Sequence, residues 1–157
     1  MKKIILFALI ALFVLPPSAQ AESREVQITD TMHRNFDGTF RNDDLAKEIA
    51  LGGKLWNLIF SIDSTPRIWV IDAALIEDIT AMTEPYQLRD GTKIDASADA
   101  VAYLAQLKKV TRNAQVVALP YGNPDPKLAR ELASSELNYY YKTAQTRLAS
   151  ALGRPVR

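Results

Sequence analysis

Hydrophobic residues in this chain fall into a few short unbroken runs, separated by longer stretches in which they recur at helical spacing. The first run, Ile4 to Leu15, follows Lys2 and Lys3 and ends at Pro16-Pro17, neither of which can donate a backbone hydrogen bond. At about a dozen residues it is too short to span a bilayer, which takes roughly 20. Ser18-Ala19-Gln20-Ala21 then places small residues where a signal peptidase reads. The pattern predicts a cleavable secretory signal over residues 1–21, with cleavage before Glu22; an uncleaved anchor is the alternative. No later stretch is long and apolar enough to cross a membrane.

Beyond Ala21, Val26-Gln27-Ile28-Thr29 alternates and predicts a short strand ending at Asp30. Thr31 to Arg41 is polar and irregular, with Gly38 as a turn residue. Asn42 or Asp43 caps a helix starting at Asp44, with Leu45, Ala46, Ile49 and Ala50 on one face, and Gly52-Gly53 stops it. A short helix over Lys54 to Ser61 follows. Ile68 to Ile71 is continuously apolar and rich in β-branched residues, as strands buried on both faces of a parallel sheet are. A helix from Ala73 to about Met82 comes next, then a loop over residues 84–96. A helix to about Arg112 has Ala100, Val101, Leu104 and Leu107 as its buried stripe. Gln115 to Leu119 is the next apolar strand. Pro126 suits the first position of a helix. In the last helix Leu137, Tyr141, Ala144, Leu148 and Ala151 make one apolar face, which reads Tyr141 as core.

Short buried strands alternating with helices predict an α/β domain over residues 22–157: three βα units with a parallel sheet, like part of a (β/α) barrel. An incomplete barrel has a free sheet edge, which invites pairing with another chain.

Charge and composition narrow the function. The signal carries two lysines and no acid, so its removal takes the formal charge from +1 to −1. A near-neutral chain without a basic run has no electrostatic footprint for nucleic acid and no polybasic membrane patch. There is no cysteine, which excludes disulfides and a lipoprotein anchor at the cleavage site. With one histidine and no thiol, the usual zinc ligand sets are out of reach, while a calcium site built from carboxylates stays open. Neither a Gly-x-Ser-x-Gly elbow nor a phosphate loop occurs, and no cofactor is predicted.

In βα architectures function gathers at the carboxyl ends of the strands. That rule selects Asp30 with His33, then Asp72, then Tyr121, Asn123 and Asp125 as candidate binding residues. Asp72 and Asp125, with Asp30, are also the candidate catalytic carboxylates, since glycoside hydrolysis uses two, one protonated and one charged. Each residue has a structural alternative. Asp72 and Asp125 both precede a helix, where Asp is a preferred cap. His33 reads as a surface residue of a polar loop and Tyr121 as a packed loop aromatic. Capping is expected for Asp125, and exposure to a shallow groove shared with Asp30 for Asp72.

Three blocks resemble consecutive segments of one family. They are Asp37-Gly38-Thr39-Phe40 through Gly52-Gly53-Lys54-Leu55, then Trp69-Val70-Ile71-Asp72-Ala73-Ala74-Leu75, then Ala118-Leu119-Pro120-Tyr121-Gly122-Asn123-Pro124-Asp125. The family is an actinobacterial group of large exported, membrane-anchored proteins. The resemblance covers most of residues 26–152 and implies an envelope location and a barrel-like α/β domain reminiscent of carbohydrate-active hydrolases and deacetylases. It carries over no catalytic residue. Where family members have Trp-Pro-Leu this chain has Gln27-Ile28-Thr29, and their further βα units, β-rich domains and C-terminal membrane helix have no counterpart here.

The reading that follows is an exported cell-envelope protein acting as a non-catalytic binding or structural module. Its expected partners are an envelope glycan or another envelope protein pairing at the free sheet edge. The alternatives are a carbohydrate-active hydrolase or deacetylase-like enzyme acting on an envelope glycan, and a truncated fragment of a larger membrane-anchored protein.

Overall fold

The computed structural model describes residues 24–61 and 67–157; the signal predicted over 1–21 lies outside the described residues. Strand β1 (Arg24–Ile28) leads through a long loop to helices α1 (Asp44–Ile49) and α2 (Lys54–Phe60). Strand β2 (Arg67–Ile71) runs into α3 (Ala73–Ala81). Two-residue strands β3 (Tyr86–Gln87) and β4 (Lys93–Ile94) precede α4 (Ala98–Thr111) and strand β5 (Gln115–Ala118). Helices α5 (Pro126–Leu132) and α6 (Ser134–Leu152) follow. The sheet has the order β1-β2-β5 and is parallel throughout. Its chemistry-bearing strand ends therefore share one edge, as predicted for an α/β chain of βα units. Among the described residues no helix is long and apolar enough to cross a membrane.

Strand register sorts the side chains into two faces. Val26, Trp69 and Val116 lie level with one another, as do Ile28, Ile71 and Ala118. All six belong to the one hydrophobic cluster, together with Leu45, Leu55, Ile76, Tyr103 and Leu148 from the helices. The central strand is buried on both faces where Trp69, Val70 and Ile71 follow one another, as expected. Ile68 and Val117 are half-buried and stand outside that cluster.

Three local features also differ from the sequence reading. Residues 84–96 contain the antiparallel β3–β4 hairpin, turned at Gly91 with φ +90°. The buried stripe of α4 is Ala100, Tyr103, Leu107 and Thr111, while Val101 is 54% exposed. The Tyr103 ring sets the phase of that helix, and Thr111 tolerates burial because its hydroxyl donates to the Leu107 carbonyl at 2.8 Å. In α6 only Ala144, Leu148 and Leu152 are buried, and Tyr141 is exposed rather than core. The first turns of α6 lie beside α5, which has no buried side chain to close over them.

The hairpin holds the long loop after β1. Phe40 N–H donates to the Gln87 carbonyl and Arg89 N–H to the Phe40 carbonyl, at 2.8 and 2.7 Å. Phe40 packs on Tyr86 with ring centroids 4.8 Å apart, and the Tyr86 hydroxyl donates to Asp43. Residues 31–41 are thereby drawn across the carboxyl end of the sheet.

Trp69 is 2% exposed at the centre of the sheet. Trp69→Asp should lower unfolding free energy by about 3–5 kcal/mol, since it removes aromatic packing and buries a charge. Val101→Asp, on an exposed helix face, should change it by less than about 0.5 kcal/mol. Urea denaturation of the two variants checks the contrast.

Candidate functional site

Asp72 is fastened from three sides. Its backbone N–H continues the ladder to the Ile28 carbonyl of β1 at 3.0 Å. Its Oδ1 accepts the Ala74 N–H at 3.0 Å, which caps α3, and the Gly122 N–H at 3.2 Å from the loop after β5. That loop turns through Gly122 (φ +73°) and Asn123 (φ +43°), both left-handed. The Asn123 amide crosses to Thr29 Oγ1 at 3.1 Å, tying the loop to β1 as well. Asp72 is 3% exposed, so the expectation of an exposed Asp72 is corrected. Burial pushes its carboxyl above the usual aspartate range; the two backbone N–H groups pull it back, and Asp78 and Glu77 add to the rise.

Asp78 and His33 complete the interior of the site. Asp78, on α3, accepts the His33 backbone N–H at 3.3 Å and pairs with Arg34 Nε at 3.2 Å. Burial raises its carboxyl too, against the pull of Arg34. His33 is 7% exposed, not a surface residue, because its carbonyl and N–H both anchor the loop to its neighbours. Its Nε2 is buried without a hydrogen-bond partner, 3.7 Å from Asp30 Oδ2. Asp30 accepts the Thr31 N–H at 2.7 Å and has Lys54 Nζ 3.9 Å away. Asp30, Asp72 and Asp78 do converge, but on a cleft of about 10 Å3. That volume holds roughly one water molecule and no substrate.

Asp125 has the capping role expected of it: it accepts the N–H groups of Lys127 and Leu128 at 2.8 and 2.9 Å, with Pro126 at the helix start. Asp72 and Asp125 are thus each turned to backbone donors rather than to a common opening. Tyr121 is half-buried and its hydroxyl donates to Glu77, which also pairs with Arg147 at 3.0 Å. Burial first, then Glu77, pushes the Tyr121 phenol up to about 12.

The open space lies to either side of the 31–41 loop, with Asp78 in the wall of one groove and Asp30 in the wall of the other. Asn35 N–H bonds the Thr39 carbonyl at 2.8 Å and Asp37 accepts from Thr39, which folds the loop into a tight hairpin with Gly38 at φ +88°. Phe36 projects from its tip, fully exposed, and Met32 is 48% exposed nearby. On one side is a groove of about 560 Å3 lined by Met32, Arg34, Phe36, Arg41 and Tyr121. On the other, about 280 Å3 is lined by Asp30, His33, Asp44 and Glu48. Met32 and Arg41 border both. Among the described residues no group of three or more histidines and acids could hold a metal ion.

Sequence reading missed Asp78, Glu77, Arg34 and Phe36. A signal existed for Asp78: it falls four residues after Ala74 and three after Leu75, on the buried face of an otherwise apolar helix. Phe36 was marked only by being aromatic within a polar loop. Comparison with protein-family models and with curated proteins gives no match for the chain.

Asp72 makes a pH prediction. In the unfolded chain an aspartate ionises near about 3.9, and in the folded protein Asp72 ionises higher. Between the two values the folded state holds the extra proton, so this group's contribution to stability falls as pH rises through the window. Asp72→Asn removes the titration. The variant's stability relative to the parent should climb from about pH 4 through the window and then level off. Paired urea midpoints measure it, and a relative stability that falls with pH contradicts it.

Proposed function

We propose that this is an exported, non-catalytic binding module of the cell envelope, holding a glycan against the loop over residues 31–41. The observation that carries the reading is the division of labour at the strand ends. Asp72 and Asp125 are committed to backbone N–H groups, and the cleft that Asp30, Asp72 and Asp78 share is only about 10 Å3. The open surface beside them offers a fully exposed phenylalanine, a thioether and two guanidinium groups. An exposed aromatic face beside fixed polar donors suits a pyranose ring, whose axial C–H face is apolar and whose hydroxyl edge is polar. On the neighbouring side the buried, unpartnered Nε2 of His33 and the carboxylates of Asp30 and Asp44 suit hydroxyl or amino substituents.

Hydrolysis needs two carboxyl groups roughly 5–10 Å apart across an open substrate, one of them able to protonate the leaving oxygen. Asp72 has the raised carboxyl such an acid needs but no access to substrate. The positively charged start, short apolar run and small residues of positions 1–21 support export, as does the resemblance of the three blocks to an exported actinobacterial family.

Two measurements test the proposal. Envelope glycan fragments titrated into the protein should bind without being cleaved, and Phe36→Ala should weaken binding roughly tenfold with the circular dichroism unchanged. Turnover that disappears in Asp72→Asn with the fold intact would replace the binding reading by the hydrolase one. Mass spectrometry of the exported protein should find Glu22 at its N-terminus; intact Met1 in a membrane-bound form contradicts processing.

A further inference from the structure

The two grooves beside the 31–41 loop differ in charge. Among the described residues the smaller is lined by the acids Asp30, Asp44 and Glu48, while the larger has Arg34 and Arg41 and no acid but Asp78. At about 560 Å3 the larger groove has the size of a small-ligand cleft, roughly 300–1,000 Å3. Its one acid is spent: the Asp78 side chain is 9% exposed, pairs with Arg34 and accepts the His33 N–H. The acids around it are engaged as well. At the loop tip Asp37 Oδ1 accepts the Thr39 N–H and hydroxyl at 2.9 and 2.7 Å. Beside Tyr121, Glu77 takes the Tyr121 hydroxyl and Arg147. In the smaller groove Asp44 pairs with Lys47 at 2.8 Å and Glu48 accepts the Lys54 N–H at 3.2 Å. Arg41, by contrast, is exposed, and its guanidinium has no hydrogen bond or ion pair among the described residues. The larger groove therefore has a cation to spare.

The loop also holds its two arginines in place. Arg34 forms an antiparallel bridge with Phe40, and the Arg41 N–H donates to the His33 carbonyl at 2.8 Å. Arg34 and Arg41 thus stand on the two arms of one stem, which Phe40 fastens to the β3–β4 hairpin. Phe36 lies at the tip that joins the arms. Asp78 grips Arg34 at Nε, 3.2 Å away, and the Arg34 side chain is 32% exposed. A guanidinium gripped at Nε keeps donor nitrogens at its far end, and it loses less freedom on taking a ligand than an untethered one does.

Taking this loop as the glycan-binding surface proposed above, we propose that its ligand is an acidic glycan built of uronic acids, with a sugar ring on Phe36 and the ring's carboxylate received by Arg41 and Arg34. The guanidinium group is planar and presents paired N–H donors that match the two oxygens of a carboxylate. A uronate carries that carboxylate directly on its pyranose ring, so a single sugar meets the aromatic and the guanidinium together. A phosphate on a flexible polyol brings the charge without the ring. Asp30, Asp44 and Glu48 repel such a ligand from the smaller groove, which fixes the side of the loop it occupies. Tyr121 supplies its ring to the wall, since its hydroxyl is turned to Glu77.

Calorimetric titration with tetragalacturonate, and with the neutral tetragalactose that reduction of its carboxyl groups yields, tests this. The acidic oligosaccharide should bind at least about tenfold tighter than the neutral one. Arg41→Gln should bring the two affinities to within roughly threefold of each other. Arg41 is exposed, so circular dichroism should not change. Arg41→Lys keeps the charge but not the paired donors and should give an intermediate preference. Added salt should weaken the acidic sugar and not the neutral one. Equal affinity for the two sugars overturns the acidic assignment and leaves glycan binding standing. A preference that survives Arg41→Gln also overturns it, as does tighter binding of glycerol phosphate than of tetragalacturonate. Binding of neither sugar overturns it together with the glycan-binding reading.

Discussion

One buried carboxylate, that of Asp72, joins β1, the first turn of α3 and the loop after β5 at a single point, beside the Asn123–Thr29 and Tyr121–Glu77 bonds that also hold that loop. Its backbone extends the ladder from β1, and its Oδ1 receives N–H groups from the first turn of α3 and from the loop after β5. A residue with this much burial would ordinarily be avoided, because desolvating a carboxylate is costly. Here the cost is offset by two charge-assisted bonds while it is ionised. When protonated, the group keeps Oδ1 as an acceptor, so both bonds survive the pH at which the raised carboxyl takes up its proton. The position of the Tyr121–Asp125 loop over the sheet edge follows from it. So does the closure of the space among Asp30, Asp72 and Asp78.

That closure determines what the strand-end edge can do. In a barrel-like enzyme the carboxylates at the strand ends face a cavity that admits substrate. Here the loop over residues 31–41 is drawn across them by Asp78, Arg34 and the Phe40 contacts with the β3–β4 hairpin. The free volume moves outward to the flank of that loop, where Phe36, Met32, Arg34 and Arg41 stand. Binding would then fall on a surface where Phe36, Met32 and Arg41 are exposed beside an Arg34 held by Asp78.

The parallel strands at 67–71 and 115–118 were legible because continuous apolar, β-branched runs between helical stretches have few other readings. The capping by Asp125 was legible because Pro126 fixes a helix start. Three features were not. An apolar run does not report how far cover extends along each face, so Ile68 and Val117 read as core although they are half-buried. Tyr141 has the right spacing for the α6 stripe, but spacing does not report where the neighbouring layer stops. The β3–β4 hairpin is two residues per strand, too short for alternation to register, and it depends on Phe40 from a distant segment. At the site, Asp72 and His33 were found as residues but misplaced in exposure, since their burial comes from the loop folding over them.

The central claim is that Asp72 organises the sheet edge through backbone bonds and does not serve a reaction. Amide hydrogen exchange of Asp72→Ala against the parent tests it most directly. The account predicts that the Gly122 and Ala74 amides lose protection roughly tenfold or more, while Trp69 and Val116 in the sheet keep theirs. Unchanged protection at Gly122 and Ala74 in that variant would contradict it.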